Sequence, residues 1–287
     1  MAMEFPPREN LMAPWLPTQG LGMIYAPRGI GKTHLSLGIG YAVSSGGKLF
    51  DWYATKPMGV LFIDGEMPGA VLKERLARIA VSSDYEPQAP LQIITPDLQA
   101  SGMIDLSRLE DQEEIEPYLG GISLIIIDNI STLCRTGREN EAESWLPVQE
   151  WALRQRSSGR SVLFIHHSGK GGNQRGTSRR EDVLDTVIAL RYPGDYSPDQ
   201  GATFEVHFEK ARGIYGEDTK PFEAQLTTGE DGKQEWVTKS LEQSTAEKVA
   251  QLLGDGIPQK EIAELIGITK GAVSKAKQRA EAMGLLK

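Results

Sequence analysis

The feature that most constrains this 287-residue chain is residues 26–33, which read Ala-Pro-Arg-Gly-Ile-Gly-Lys-Thr. They match the pattern Gly-x-x-x-x-Gly-Lys-Ser/Thr at every position except the first, where Ala26 replaces glycine. An apolar, β-prone segment precedes them at residues 21–25, and a segment with helical character follows at residues 34–43. The sequence therefore predicts a strand, a phosphate-binding loop and a helix in succession.

The residue types in this loop explain how it would bind a phosphate. Gly29 and Gly31 allow backbone N–H groups to point inward, and the helix that follows contributes positive potential from its N-terminus. Lys32 is expected to reach the β- and γ-phosphates of a nucleotide, and Thr33 to ligand Mg²⁺. The sequence thus predicts ATP and Mg²⁺ as cofactors. The expected nucleotide-binding residues are Ala26, Pro27, Arg28, Gly29, Ile30, Gly31, Lys32, Thr33 and His34.

Composition is that of an ordinary globular protein, with 39% hydrophobic and 24% charged residues. The length allows one large domain and a small one. The single cysteine, Cys134, excludes an intrachain disulfide framework and favours a reducing compartment. The N-terminus lacks a signal-peptide pattern, and no segment approaches the roughly 18 unbroken apolar residues of a membrane span. We therefore expect a cytoplasmic protein with no membrane association.

Charge is distributed unevenly along the chain. The whole chain carries a net charge of −8, which by itself argues against nucleic-acid binding. Residues 246–287, however, hold seven Lys/Arg and five Asp/Glu, so they carry +2 and the remainder carries −10. Residues 268–287 hold five Lys/Arg and one Glu. The basic charge is therefore concentrated at the C-terminus, and for nucleic-acid binding the local field matters more than the total charge.

Short apolar runs alternate with helical segments over residues 21–225. Because the runs are continuous rather than alternating, they are typical of strands covered on both faces, and the pattern predicts βαβ units, a parallel sheet and an α/β fold. The expected strands are residues 22–25, 60–64, 91–94, 124–128 and 162–166. The expected helices are residues 70–80, 106–118 and 144–157. The segments expected to add an antiparallel hairpin are residues 185–192 and 202–210.

The apolar run at residues 124–127 ends in Asp128, about 95 residues after Lys32. In proteins with a phosphate-binding loop, an aspartate at the end of such a strand lies beside the loop and holds the Mg²⁺ shell. We therefore expect Thr33 and Asp128 to form the metal site, with contacts to Mg²⁺ through water. The alternative is a core strand that ends in a capping aspartate.

A second strand, residues 60–64, ends in Asp64 and runs into Gly65 and Glu66. ATP hydrolysis needs a carboxylate that orients and deprotonates water. Ligand sites in open α/β sheets lie at the carboxyl ends of the strands. Glu66 is the preferred candidate for this base, and Asp64 is its competitor. A solvated loop carboxylate is the alternative interpretation of Glu66.

A third strand, residues 161–165, ends in His166 and His167. A polar residue at this point could contact the γ-phosphate, and His167 is the candidate, whereas His166 better fits a packed core position. Adjacent residues on a strand point to opposite faces, so the sequence disfavours a zinc ion shared by the two histidines.

The next segment, residues 169–180, is glycine-rich, basic and poor in apolar residues. Such a segment suits a DNA phosphate backbone, because Lys and Arg displace the counterions of that backbone. The candidate contacts are Lys170, Arg179 and Arg180. A solvated surface loop is the alternative.

The order of these motifs resembles that of RecA-type ATPases, and most closely that of plasmid RepA-like hexameric replicative helicases. The resemblance covers about residues 15–225 and includes Glu66, Asp128, the strand that ends in His166-His167 and the later Arg175-Gly176-Thr177-Ser178. It implies a RecA-like P-loop ATPase core, a homo-oligomeric hexameric ring and ATP bound at the subunit interfaces.

The same resemblance implies a basic finger that a neighbouring subunit supplies. Arg175 is one candidate, and Lys210-Ala211-Arg212 resembles the Lys-x-Arg pair that hexameric helicases place against the neighbour's γ-phosphate. Ordinary strand-end charges are the alternative for Lys210 and Arg212. The full expected catalytic set is Lys32, Glu66, Asp128, His167, Arg175, Lys210 and Arg212. The acidic core argues against a strongly electropositive DNA channel.

Residues 244–287 are predicted to form a small domain of three helices. Ser244 and Glu247 match a capping box at the start of the first helix, and Pro258 fits the first turn of the second. Thr269 is expected to cap the third. The preceding regions are expected to be an N-terminal segment (1–20), the ATPase domain (21–225), and an edge strand or hairpin with a linker (226–243).

The spacing of Ala263, Gly267 and Val273 resembles that of the helix-turn-helix family. In that motif a small residue lets two helices approach, glycine allows a left-handed turn and valine fills the core. The third helix would present phosphate- and base-contacting residue types to a DNA major groove, namely Lys270, Ser274, Lys275, Lys277 and Gln278. A helical module for protein interaction or oligomerisation is the alternative.

Together these features predict an ATP-driven DNA helicase or translocase that acts in plasmid, phage or mobile-element replication. The expected partners are single-stranded or duplex DNA and further copies of this chain. One alternative is an ATP-responsive DNA-binding regulator or helicase loader without unwinding activity. A recombinase-like filament ATPase is the other.

Overall fold

The structure, a computed structural model, describes residues 8–99, 102–135, 142–169, 181–194 and 196–286, while the side chains of residues 142–144 fall outside the description. Its strands are β1 Asn10–Met12, β2 Leu16–Pro17, β3 Leu21–Ala26, β4 Lys48–Leu49, β5 Trp52–Tyr53, β6 Gly59–Asp64, β7 Leu91–Ile94, β8 Ile122–Asp128, β9 Ser161–His167, β10 Thr186–Arg191, β11 Thr203–Ala211, β12 Phe222–Thr228 and β13 Gln234–Ser240. Its helices are α1 Lys32–Ser45, α2 Gly69–Ser82, α3 Leu109–Ile115, α4 Ile130–Leu133, α5 Ala142–Ser157, α6 Leu241–Gly254, α7 Gln259–Leu265 and α8 Lys270–Ala282.

A mostly parallel sheet forms the centre of the molecule. Within the described residues it has nine strands in the order β13-β12-β11-β10-β3-β9-β8-β6-β7. The strands from β10 to β7 are mutually parallel, whereas β11, β12 and β13 continue the sheet in antiparallel fashion. The predicted α/β fold, its parallel strands and the antiparallel extension are therefore confirmed.

The central strands are buried along their whole length because both faces of the sheet are covered. Successive residues of β3 alternate between the two cores: Ile24 and Ala26 belong to one cluster, with α1, and Met23 and Tyr25 belong to the other, with α5. This is the side-chain period of two expected for a strand. Each face thus buries an apolar layer, and the polar functional residues are left to the strand ends.

The predicted helix at residues 106–118 is shorter in the structure. The α-helical part is α3, Leu109–Ile115, and a 3-10 turn, Glu116–Tyr118, follows it. Pro117 accounts for this end, because a proline has no N–H to donate to the carbonyl oxygen of Glu113, four residues earlier. That oxygen accepts from the Glu116 N–H instead. Leu106 does not join the helix, since its N–H donates to the Leu133 carbonyl oxygen at 2.7 Å.

The β12–β13 hairpin packs over α1. Trp236 on β13 lies among aromatic side chains, with its ring centroid 5.3 Å from Phe50 and 5.2 Å from Phe204. The backbone N–H of Gln234 donates to the Ser82 hydroxyl of α2 at 2.8 Å. Helix α1 is consequently enclosed between the sheet and its antiparallel extension, and its residues are almost all buried.

The expected linker and capping box before the C-terminal helices are both wrong. Strand β13 ends at Ser240 and α6 begins at Leu241, so no linker separates them. Ser240 caps α6, and its side chain accepts a hydrogen bond from the Gln243 N–H at 3.2 Å. Ser244 lies inside the helix instead, where its hydroxyl donates to Glu223 Oε2 at 2.8 Å.

Helices α6, α7 and α8 form a three-helix unit with its own small core, built around Val249, Ile262 and Val273. The unit is fixed to the sheet by ion pairs as well as by chain continuity. Lys248 Nζ lies 2.9 Å from Glu223 Oε2 on β12, and Lys239 Nζ on β13 lies 2.5 Å from Glu247 Oε2. The helices are therefore docked onto the antiparallel part of the sheet. Within the described part of the chain, no helix has both the length and the apolar character needed to cross a membrane.

Glu223 is the shared acceptor of this attachment, and the substitution Glu223→Ala is expected to destabilise the protein. Its side chain is only 15% exposed, and its loss removes the partner of the buried Ser244 hydroxyl. We expect urea unfolding to show a loss of about 1–3 kcal/mol. Glu217→Ala is the matched control, because Glu217 pairs with Lys220 while 85% exposed and should change stability by less than about 0.5 kcal/mol. Equal effects of the two substitutions would contradict the proposed attachment.

Candidate nucleotide-binding site

The phosphate loop and the polar residues that end three parallel strands meet at one edge of the sheet. Ala26 of β3 is paired in register with His167 of β9, and Asp64 of β6 is paired with Asp128 of β8. Strands β8 and β9 are direct neighbours. The edge formed by their carboxyl ends is the usual place for a ligand in an open α/β sheet. The structure thus brings together the phosphate loop, both acids and His167.

The loop at residues 26–33 has the backbone conformation that its glycines permit. Gly29 and Gly31 have φ values of +82° and +111°, in the left-handed region that side-chain-bearing residues avoid. Gly31 is also the N-cap residue of α1, and no side chain caps that helix end. The first N–H groups of α1 therefore point into the loop, where a phosphate would accept from them.

Lys32 is held inside this loop. It is 7% exposed, and its Nζ donates to the carbonyl oxygens of Ala26 at 3.2 Å and Pro27 at 2.6 Å. Burial lowers the pKa of Lys32 to about 8, against the opposing influence of Asp128 and Glu66. The ammonium group is still predominantly charged at neutral pH, so it can neutralise a bound phosphate.

Asp128 is buried next to the start of α1. Its Oδ2 accepts from the Ser36 hydroxyl at 3.2 Å, and it also has a hydrogen bond with the Thr33 side chain. Burial, reinforced by the nearby Asp64 carboxylate, raises the pKa of Asp128 to about 7. The cluster supplies hydroxyl and carboxylate oxygens, which are the donors that Mg²⁺ prefers. Thr33 and Asp128 therefore fit a nucleotide-bound Mg²⁺.

Ser36 was not among the predicted site residues. It lies one helical turn after Lys32, so the spacing of positions i and i+4 on one helix face was the available signal. Because its hydroxyl bonds both to Asp128 and to the Thr33 carbonyl oxygen at 3.1 Å, it fixes the carboxylate relative to the helix.

The two candidates for the catalytic base lie in different environments. Asp64 is 1% exposed, and its Oδ1 accepts from the N–H groups of Glu66 at 2.8 Å and Met67 at 2.5 Å. Burial raises its pKa despite these bonds. The Glu66 side chain is 44% exposed and so can reach water. Asp64 therefore shapes the turn, and Glu66 is the carboxylate accessible to a reactant.

His167 lies between the loop and Glu66. Its Nε2 is 3.5 Å from Glu66 Oε1, and the ring is 6% exposed. Burial and the positive charge of Lys32 lower the pKa of His167, so the imidazole is neutral at physiological pH. His166, by contrast, is fully buried in the core, which agrees with its expected packing role.

Lys210 and Arg212 lie away from the phosphate loop of their own chain. Val187 pairs with both Lys210 and Met23, so Lys210 is level with the third residue of β3, three residues before Ala26 at the end of that strand. This places it roughly 10 Å away along the strands and about 10 Å across them. Lys210 Nζ donates to the Glu181 carbonyl oxygen, and Arg212 donates to that of Asp182 at 3.0 Å.

Four of the predicted residues, Arg175, Lys170, Arg179 and Arg180, lie outside the described residues. On α8, Lys270, Ser274, Lys275 and Gln278 are exposed, while Lys277 is partly covered and its Nζ lies 3.7 Å from Glu281 Oε1. The expected turn geometry is present: Ala263 and Val273 are buried, Gly267 has φ +67°, and the Thr269 side chain accepts from the Ala272 N–H at 3.2 Å.

The His34 side chain packs against Trp236 of β13, although His34 directly follows Thr33 of the phosphate site. Its ring centroid lies 5.9 Å from that of Trp236, and burial lowers its pKa. It lines a cleft of about 830 Å³ between α1, the end of α2 and the β12–β13 hairpin. Lys32, Glu66 and Asp128 do not line this cleft, so it is distinct from the phosphate site.

The raised pKa of Asp128 predicts how the chain without Mg²⁺ responds to pH. In the folded chain the pKa of Asp128 is about 7, above the ordinary value for an aspartate. As pH rises from about 4 to 7, this carboxyl group therefore ionises more readily in the unfolded state than in the folded state, and the free energy of unfolding falls. Asp128→Asn removes this cost. We expect it to stabilise the chain in EDTA at pH 8 by on the order of 2–4 kcal/mol, with no gain near pH 4. Urea unfolding at both pH values checks this, and a gain that is the same at both would contradict it.

Comparison with known proteins agrees with this geometry. The family model described as AAA domain matches residues 1–173, which is more than half of the chain and includes the phosphate loop, Asp64, Glu66, Asp128 and His167. A comparison with curated proteins finds no match. The family is one of P-loop ATPases, and it supports nucleotide binding and hydrolysis. On the extent of this match, the chain belongs to the AAA domain family.

Proposed function

We propose that the chain is an ATP-dependent DNA helicase or translocase of plasmid, phage or mobile-element replication, which hydrolyses ATP at the subunit interfaces of a hexameric ring. The observation that carries the proposal is the placement of two charge sets at opposite ends of one sheet. Lys32, Glu66 and Asp128 lie at the carboxyl ends of the parallel strands, and Lys210 and Arg212 lie at the other end.

The hydrolytic step follows from the residues at the carboxyl ends. The loop N–H groups and Lys32 would hold the phosphates, and Thr33 and Asp128 would hold Mg²⁺, which would supply positive charge against the negative charge that develops on the phosphoryl group. Glu66 takes a proton from the attacking water. Neutral His167, 3.5 Å from Glu66, can donate a hydrogen bond to that carboxylate and hold its orientation. Lys32 would act as a cation and His167 as a neutral imidazole, which are the charge states that they hold at neutral pH.

The ring follows from the residues at the other end. Lys210 and Arg212 cannot contact the phosphate loop of their own chain, but a head-to-tail arrangement brings unlike ends of two copies together. In such an arrangement the basic pair of one subunit would approach the γ-phosphate of the next and stabilise charge in the transition state. Arg175 is the alternative finger.

DNA binding is assigned to two places. The basic segment at residues 169–180 would follow the phosphate backbone, and α8 would enter a major groove through a helix-turn-helix arrangement. The exposed Lys270, Ser274, Lys275 and Gln278 and the buried Ala263 and Val273 support this second assignment.

A second candidate function is an ATP-responsive DNA-binding regulator or helicase loader that does not unwind DNA. The observation that favours it is the docking of the α6–α8 unit on the sheet without a linker, with Glu223 as shared acceptor. A fixed DNA-binding unit suits a protein that stays at one site, whereas a translocase has to release each contact as it moves.

A catalytic test separates the base from the groups that bind nucleotide. Glu66→Gln keeps shape but removes the base, so we expect phosphate release to fall by about 10²-fold or more while a fluorescent ATP analogue binds with near-native affinity. Lys32→Ala is expected to lower hydrolysis by about 10²-fold and to weaken binding as well. Normal turnover in Glu66→Gln, together with loss of turnover in Asp64→Asn, would assign the base to Asp64.

Strand displacement from a forked duplex, measured with and without ATP, tests the proposed function itself. We expect ATP-dependent unwinding by the native chain.

Mixing Lys32→Ala subunits with Arg212→Ala subunits should restore part of the activity that each lacks, because some hybrid interfaces hold an intact site. DNA-stimulated hydrolysis without unwinding would support the regulator or loader. No rescue in mixed rings would exclude Arg212 as the trans finger and leave Arg175 and Lys210 to the same test.

A further inference from the structure

A short chain of contacts begins at the phosphate loop and leads towards the C-terminal helices. Tyr192 directly follows β10, and its hydroxyl donates to the Arg28 carbonyl oxygen at 3.4 Å. The Tyr192 ring stacks on that of Tyr196, with centroids 4.3 Å apart, and the buried Pro193 lies between the tyrosine and Gly194. One end of this segment is therefore held against the loop that would bind the nucleotide phosphates.

The other end of the segment lies beside the turn between α7 and α8. A Cβ atom built on Gly194 would lie 3.3 Å from the Ile266 carbonyl oxygen, which is tighter than ordinary van der Waals contact. Ile266 caps α7, Gly267 reverses the chain, and Thr269 caps α8. Any displacement of Ile266 therefore carries the first turn of α8 with it.

No flexible linker joins the three-helix unit to the sheet, so such a displacement is not absorbed there. Helix α6 continues directly from β13 and is tied to Glu223 of β12 through Ser244 and Lys248. A push at Ile266 consequently acts against a fixed α6 and changes the position of α7 and α8 relative to it.

We propose that residues 192–194 couple nucleotide binding in the phosphate loop to the position of α8, so that nucleotide and duplex DNA alter each other's affinity. A bound phosphate would accept hydrogen bonds from the backbone N–H groups next to Arg28 and so shift this part of the loop. The Arg28 carbonyl oxygen would move with it, and so would Tyr192, whose hydroxyl donates to that oxygen. The role of α8 in binding DNA rests on the proposed function, whereas the response of the α7–α8 turn does not. Coupling of this kind is reciprocal, because each ligand changes the affinity for the other by the same factor.

Two conservative substitutions break the link without touching the proposed DNA contacts. Gly194→Ala places a methyl group against the Ile266 carbonyl and separates the segment from the turn. Tyr192→Phe removes only the hydroxyl that donates to Arg28. The matched controls are Gly254→Ala, whose methyl group would meet no atom within 4 Å, and Tyr196→Phe, whose hydroxyl donates to the Gly201 carbonyl oxygen instead.

The first measurement is hydrogen exchange of the full chain with and without a non-hydrolysable ATP analogue and Mg²⁺. We expect the analogue to change the exchange rate of the amides in residues 266–273 by at least about threefold. That change should fall to less than half in Gly194→Ala and Tyr192→Phe and persist in both controls. The coupling would be overturned if the native chain bound the analogue with no change in the exchange rates of residues 266–273. It would also be overturned if both test variants showed the same change in exchange as the native chain.

The second measurement is the affinity for a fluorescent duplex with and without the analogue. We expect a change of at least about fivefold, matched by the same factor in the affinity for the analogue when duplex is added, and a smaller factor in both test variants. Equal duplex affinity in both states would overturn the coupling and leave DNA binding intact. A turn that responds to the analogue in a chain that binds no duplex would support the coupling and reject the proposed DNA function.

Discussion

The juxtaposition of two buried carboxylates at the ends of β6 and β8 is the constraint on which the rest of the site depends. Asp64 and Asp128 are 1% and 3% exposed and end paired strands. Burying a charge in this way is costly unless hydrogen bonds or opposite charge compensate it. Backbone N–H groups donate hydrogen bonds to Asp64, and the side chains of Ser36 and Thr33 form hydrogen bonds with Asp128. Lys32 supplies positive charge nearby. These compensating groups come from α1, the phosphate loop and the turn after β6, so the site is complete only when all three are in place.

The same sheet explains why the two sets of charged residues are separated. Parallel strands carry their carboxyl ends to one edge, and this brings Asp64 beside Asp128, 64 positions later, and Ala26 beside His167, 141 positions later. Strand β11 runs in the opposite direction, so the residues at its carboxyl end, Lys210 and its neighbours, reach the other edge. Because β11 runs antiparallel to its neighbour β10, the basic pair lies away from the phosphate loop of its own chain. It could contact a nucleotide bound by another subunit, but not one bound by its own.

The sequence predicted those parts of the site that depend on local patterns. The phosphate loop is contiguous, and an apolar run that ends in an acid identifies both β6 and β8 without reference to any other segment. The start of α6 was wrong because Ser240 and Ser244 are both plausible caps, and the choice depends on Glu223, which lies on another strand and bonds to Ser244. Ser36 and Tyr192 were missed for a similar reason. Their roles come from contacts with Asp128 and Arg28, which are 92 and 164 residues away, and a single sequence does not show such pairs.

Charge adds a further constraint on how the three-helix unit could bind a nucleic acid. The unit carries +2 over residues 246–287, while the rest of the chain carries −10, and at physiological salt charges act on one another over about 8 Å. Part of the basic charge of the unit is already paired: Lys248 pairs with Glu223 of the sheet, and within the unit Arg279 pairs with Glu242 and Lys277 with Glu281. The exposed Lys270 and Lys275 remain on the outer face of α8. Acidic side chains of the core would repel a polyanion on that face only within about 8 Å of it. A tilt of α8 towards the core, of the kind that the proposed displacement of Ile266 would produce, would therefore weaken the complex, and a tilt away from the core would relieve the repulsion.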